Sequence, residues 1–405
     1  MNEDDIVGLN EFLSELEILA ELENLLLNFI DQIDEAEVEE CFKMLTCFIE
    51  KMNLKNNINR YSSVLSMISH VFFTRPYKKN INVKISSILE YLIYSCNLTD
   101  VFSSQRLLKI FENNKFIILF FYENHVIDKK QLKRFLKEKV TFNLWFYFYP
   151  EFPSEVTERY EKADLISLYI NDKYSIDELK KLRREGKSDK YINQVIQNDD
   201  LDAFVSMIGT SGLGINTMIT PSFMEDLLDN PMLIEYAIGY ESVQIFKYLI
   251  LNRAHYTYKC EKFAICGGNY EIYELLKEKE DLFNHNSCLL LALHYHREEF
   301  YEDIILNQKL SLTDHQQLKN LLLASNCKGL LRFFVQFFNQ YISMKKEVNF
   351  PNQTINYSEC INWMFNLVVK YSKINCIIEF FWKQPNIEKN RLNIIQIRIY
   401  SHSKL

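Results

Sequence analysis

Glycine and proline are scarce, nine and seven in 405 residues. Only Gly8 and Gly186 precede position 209. A share of roughly 7% glycine is usual, and a β-rich fold needs left-handed turns that glycine supplies without steric cost. The shortage argues against a sheet-dominated chain. No stretch reaches the roughly eighteen apolar residues of a membrane span. The longest apolar runs, Phe116–Tyr122 and Leu144–Tyr149, are too short. The nine cysteines form no C-x-x-C pair, so neither a zinc ribbon nor a paired-cysteine motif is expected. Met1 is followed by acids, whereas a secretory leader needs a basic segment and an apolar run. The expectation is a cytoplasmic chain with reduced thiols. G-x-S-x-G, H-E-x-x-H and the kinase signatures are missing. A non-enzyme without metal or cofactor is therefore expected.

Positive charge is missing from one end. Residues 1–40 hold fourteen Asp and Glu and no Lys or Arg. Against a net charge of −8, this leaves the rest of the chain at +6. Such a balance gives no support for general nucleic-acid binding.

What is present is helical period. Hydrophobic residues make up 48% and charged residues 25% of the chain, as in ordinary folded proteins. Leu9, Phe12, Leu13, Leu16, Leu19 and Ala20 recur at helical spacing in an acidic amphipathic helix over 6–33. This helix could cap the first layer or dock a basic partner. Further helices are expected over 37–52, 62–73, 83–95, 103–113 and 131–139, the last opened by the capping box Asp128–Gln131. The N-terminal helical region is assigned to 1–150 and connecting helices to 151–190. In the second block Ser175–Glu178 is another capping box. The run Lys180-Lys181-Leu182-Arg183-Arg184 reads as a solvated helix face. Gly209, Gly212 and Gly214 fall in a stretch with neither G-K-[ST] nor G-x-G-x-x-G and no preceding strand. Residues 209–230 read as a mobile insertion rather than a phosphate cradle.

The organising feature is a repeat over Pro231–Phe283. Ala237 and Ala264, Ile245 and Ile272, Tyr248 and Leu275, and Leu249 and Leu276 each correspond at a spacing of 27 residues. Each copy is a short apolar helix, a tight break and a second amphipathic helix. Ser287–Gln308 is a third copy, with Ala292 and Phe300 in register. Degraded copies are expected over 191–208, with Ile196 in the Ala264 position, and over 318–338 and 357–382. The assigned repeat region is 191–384, and 385–405 is a cap or tail. The fold class is therefore all-α, a solenoid of stacked helix pairs.

The stretch Ala264-Ile265-Cys266-Gly267-Gly268-Asn269-Tyr270-Glu271-Ile272-Tyr273-Glu274-Leu275-Leu276 resembles the core of an ankyrin repeat. Gly268 matches the glycine that ends the inner helix, and Ala264 the small residue between helices. The first copy has Glu241 and Arg253 where glycines are expected, and the T-P-L-H opening is absent. With its leader Asn230–Ala237, the pair also resembles the expanded ankyrin-like families of parasitic protozoa such as trichomonads. The resemblance implies a protein-binding scaffold. Two other readings stand beside it: a divergent enzyme or enzyme accessory with its site in 1–150, and a self-associating structural subunit.

A standard ankyrin repeat spans about 33 residues, so the shorter period here implies reduced β-hairpin fingers. A protein partner would then rest on exposed inner-helix positions and the following break. By register these are Glu235, Gly239 and Tyr240, then Lys262, Cys266 and Gly267, then Leu290, His294 and Tyr295. Tyr240 and Tyr295 are the expected anchors. His294 and His296, two apart on a helix, should diverge too far to share an ion.

Overall fold

The regular structure is helical. The computed structural model describes residues 3–139, 142–160, 175–220, 222–225, 230–278 and 285–307. Among these there is no strand, only an isolated antiparallel bridge between Met218 and Met232. Nor is any of their helices long and apolar enough to cross a membrane. The degraded copies expected over 318–338 and 357–382, and the tail, lie outside the described residues.

The N-terminal layer comprises α1 (Glu3–Asp31), α2 (Glu35–Lys51), α3 (Ile58–Phe73) and α4 (Ile81–Tyr94). Short helices α5 (Leu98–Val101), α6 (Ser104–Ile110), α7 (Lys115–Glu123), α8 (Lys129–Glu138), α9 (Phe142–Tyr147) and α10 (Pro153–Tyr160) follow. Helix α1 ends without a basic residue in its last turn. The missing cation comes from α4: the Lys84 ammonium donates to the carbonyls of Phe29 and Ile30, both at 2.9 Å, and to that of Gln32. A cation there satisfies orphan carbonyls and the negative end of the helix dipole. Both capping boxes form, Asp128 with Gln131 and Ser175 with Glu178.

Helix α11 (Ile176–Glu185) corrects one expectation. The basic run is not a uniform solvated face, because Arg183 is buried. Its guanidinium makes two hydrogen bonds to Glu151, at 2.7 and 2.8 Å, and one of 2.7 Å to the Tyr147 carbonyl. A buried charge needs such partners.

Among the described residues four helix pairs follow: α12 (Tyr191–Gln197) with α13 (Leu201–Ser211), α14 (Leu233–Gly239) with α15 (Val243–Leu251), α16 (Lys259–Gly267) with α17 (Tyr270–Lys277), and α18 (His285–His294) with α19 (Glu298–Asn307). The first helices α12, α14, α16 and α18 pack in a row, and α13, α15 and α17 in a second row. One break geometry recurs in every pair. Asp199, Glu241, Gly268 and His296 take φ of 53°, 61°, 96° and 54°. Only one of them is glycine, so three pairs bear the cost of a left-handed Cβ. In three pairs the residue after the break donates to a carbonyl five back: Asp200 to Val195, Ser242 to Ala237 and Arg297 to Ala292. This register puts Val195, not the expected Ile196, in the Ala237 position.

Two apolar cores result. One is built from the N-terminal layer, and the other lies between the paired rows. They interlock, since Leu293 of α18 joins the first core and Tyr77 packs on the second.

Candidate functional site

The inner-helix row is the candidate site. It is closed by the chain's own connection between α3 and α4. Arg75, Tyr77 and Lys78 of that connection reach across the row. The Tyr77 ring lies 5.1 Å from that of Tyr240 and 5.8 Å from that of Phe263. A Cβ on Gly239 would come within 3.0 Å of the Tyr77 ring, so a side chain there would crowd it. The Arg75 guanidinium donates to the Tyr295 carbonyl and bonds Asp31 at the end of α1, at 2.9 Å. From the other side, Arg297 donates to the carbonyls of Cys266 and Gly267, at 3.0 and 2.6 Å, and lies 3.7 Å from Asp31. Asp31 thus bridges two guanidiniums. Burial pulls its carboxyl upward, but the charge and hydrogen bonds of Arg75, with help from Arg297 and Lys78, hold it below the usual range.

The expectation that the nine register positions are open to a partner is corrected. Glu235, Gly239, Tyr240, Cys266, Gly267 and Tyr295 are buried, Leu290 and His294 are half-buried, and only Lys262 is exposed. Glu235 folds back, accepting from the Met232 amide at 2.8 Å and from the Thr257 hydroxyl. The tyrosine hydroxyls of 236 and 240 converge on Glu225, the latter at 2.9 Å. Sequence periodicity placed these residues on the row but carried no sign that residues 74–80 would cover it.

Glu225 anchors the described part of the insertion expected over 209–230. Its buried carboxylate accepts from the Ser222 amide at 2.8 Å, Asn193 at 3.1 Å and Gln197 at 3.3 Å. Lys115 donates to the carbonyls of Phe223 and Glu225 at 2.8 and 2.7 Å. The described part of the insertion is tied to both layers by groups too costly to leave unpaired.

The histidines also differ from expectation. Helix α18 ends at His294, and the left-handed backbone of His296 turns its ring back. Instead of diverging, both meet His70 of α3, with ring centroids 5.9 and 5.5 Å away. His296 Nδ1 is 3.9 Å from a Glu23 oxygen. No group of three or more His, Cys, Asp and Glu among the described residues could hold a metal ion. Burial pushes the thiols of Cys260 and Cys266 up to about 11 each, so neither is a ready nucleophile at neutral pH. A cavity of about 320 Å³ between α11 and α12 is lined by Glu178, Lys181, Glu185, Lys187, Gln194 and Gln197 among others. Lys187 is already paired with Glu185 at 2.8 Å.

No protein-family model, curated protein or solved structure matches this chain.

Proposed function

We propose that the chain is a non-catalytic protein–protein interaction scaffold built on an ankyrin-like array of helix pairs. The observation that carries this reading is the left-handed break at Asp199, Glu241, Gly268 and His296. One break geometry in four successive pairs, with helices packed in rows, supports a repeat stack whose neighbours bury a continuous core.

In this reading the inner row serves the chain itself and holds the N-terminal layer in place. A protein partner then meets the array from its outer edge. Leu251 and Tyr258 flank the connection between the second and third pairs, and they are 81% and 79% exposed. Apolar side chains so open on adjoining connectors suit contact with another protein. The test is a photo-crosslinking residue at position 258 in the native cell, with position 94 as control, since Tyr94 is also 71% exposed. A protein adduct specific to 258 supports the reading. Adducts at 94 alone, or equal yields at both positions, oppose it.

A further inference from the structure

Helices α6 and α8 form one basic face. Both ends of the pair are tied: the Ser104 hydroxyl donates to the Val126 carbonyl at 2.9 Å, and Lys139 bonds Glu112 at 2.7 Å. The helices therefore run side by side in the same direction. Their span, 104–110 with 129–139, holds eight Lys and Arg and a single acid, Glu138. Lys133 and Lys139 are neutralised by Glu155 and Glu112, both at 2.7 Å. Lys129 lies over the Phe152 ring. Arg106, Lys109, Lys130, Arg134 and Lys137 remain exposed, and none is paired with a carboxylate among the described residues. Lys130, Arg134 and Lys137, at i, i+4 and i+7, share one side of α8.

The same chain carries a surface of opposite sign. Glu35, Glu37, Glu39 and Glu40 of α2 are exposed within six residues. None has an ion pair with Lys or Arg among the described residues. Glu35 and Glu39, at i and i+4, share one side of α2, while Glu40 and Glu37 turn away from it, so the acids ring the start of the helix. Like charges gathered without local partners raise the energy of a lone chain, and opposite patches attract across an interface.

We propose that the α6–α8 face binds the acidic first turns of α2 of a second copy of this chain, giving head-to-tail self-association. This goes beyond the scaffold reading and does not depend on it, because neither face belongs to the repeat stack. A second copy fits better than nucleic acid. The chain itself supplies the complementary charge, because residues 1–40 hold fourteen Asp and Glu and no Lys or Arg. A short acidic helix covers the basic face and no more. The contact is heterologous, so it closes into a ring or propagates as a filament.

The test is sedimentation velocity of the full-length chain at about 0.01 M and about 1 M salt, between which the screening length falls from about 30 to about 3 Å. Self-association at low salt that is lost at high salt is expected. K130E/R134E/K137E and, separately, E35K/E37K/E39K/E40K should each weaken it by about tenfold or more, with unchanged circular dichroism. An equimolar mixture of the two variants restores both complementary contacts, so complexes should reappear. A variant that merely misfolded would not recover on mixing. A wild-type chain that stays monomeric at low salt overturns the proposal. So does self-association of the α8 variant at wild-type strength, or a mixture that stays monomeric. Salt-sensitive binding of a DNA duplex by a monomer, erased by the α8 variant, would reassign the face to nucleic acid and also overturn it.

Discussion

Tyr77 meets Tyr240 edge-on, with ring centroids 5.1 Å apart and planes at 83°. This contact joins the α3–α4 connection to the inner helix of the second pair. It decides what the conspicuous aromatic of that pair does. Tyr240 is not a waiting anchor, because its ring is covered by Tyr77 and Tyr236, the latter with centroids 4.6 Å away. Edge-to-face pairs of this kind add to the area they bury.

The first prediction follows from that burial. Tyr240→Ala should lower stability by about 3–5 kcal/mol, as for other large-to-small aromatic changes in a core. It also removes one hydroxyl from the Glu225 network. Tyr77 is only half-buried, so Tyr77→Ala should cost roughly half as much. Urea unfolding measures both. A Tyr240→Ala chain that unfolds with the wild type would show that the connection does not cover the row.

The second prediction concerns glycines in helical backbone. A Cβ on Gly267 would sit 2.8 Å from the Gly239 carbonyl oxygen and 2.9 Å from that of Ile238. Both obstacles are backbone, so neither can rotate away. Gly267→Ala should cost about 1–3 kcal/mol. Gly209 has nothing within 4 Å of its added Cβ and lies inside α13. Gly209→Ala should stabilise by about 0.5–1 kcal/mol, through helix propensity. Thermal melts of the two variants should move in opposite directions. Melts that move together would refute the close approach of α14 and α16 at Gly267.

The helical class and the second and third pairs were legible in the sequence because both follow from local period. Ala237, Ala264 and Ala292 are buried where small residues were expected between helices. The break at Gly268 was legible through its glycine. That at Glu241 was legible only by register, as the place where the repeat calls for glycine, and that at His296 was not marked. The Ser242 and Arg297 amides that close them become visible only in the fold. The covering of the candidate site was illegible for a different reason. Arg75 and the Tyr295 carbonyl are 220 residues apart in sequence. No periodic signal connects such positions. A row expected to be open was therefore found filled from within the chain.

The third prediction concerns thiols. Cys47 is exposed and Cys41 half-buried, while Cys96, Cys260, Cys266 and Cys288 are buried. Burial raises the pKa of all four buried thiols, and Cys288 also donates to a Glu261 oxygen at 3.0 Å. Among the six cysteines of the described residues, a thiol reagent near pH 7.5 should label Cys47 first and leave the four buried positions intact until unfolding. Peptide mass mapping reads this directly. Prompt labelling of Cys266 would mean that the inner row opens readily, against its covering by residues 74–80.

The last prediction is a pH dependence with a definite sign. His296 faces Glu23 of α1, His70 of α3, Arg75 of the α3–α4 connection, His294 of its own helix end and Arg297 beside it. Burial, first, and then His70, Arg75, His294 and Arg297 hold its imidazole pKa well below the ordinary value of 6.5. The Glu23 oxygen at 3.9 Å is too distant for a hydrogen bond that would offset them. The folded chain therefore keeps His296 neutral where the unfolded chain protonates it. Below about 6.5 the unfolded state binds the extra proton, so stability falls as pH drops, by up to about 1.4 kcal/mol per unit. Asp31 acts in a separate, lower window. Its depressed pKa gives stability that is present above 3.8 and lost below it. His296→Asn keeps a residue that tolerates the left-handed backbone and removes the titration. Urea unfolding between pH 5 and 8 should give a shallower acid slope for this variant than for wild type, with the profiles parallel above pH 7. An unchanged slope would mean that the imidazole takes up its proton in the folded chain, and the packing of α18 against α1 and α3 would then need a water-filled path to His296.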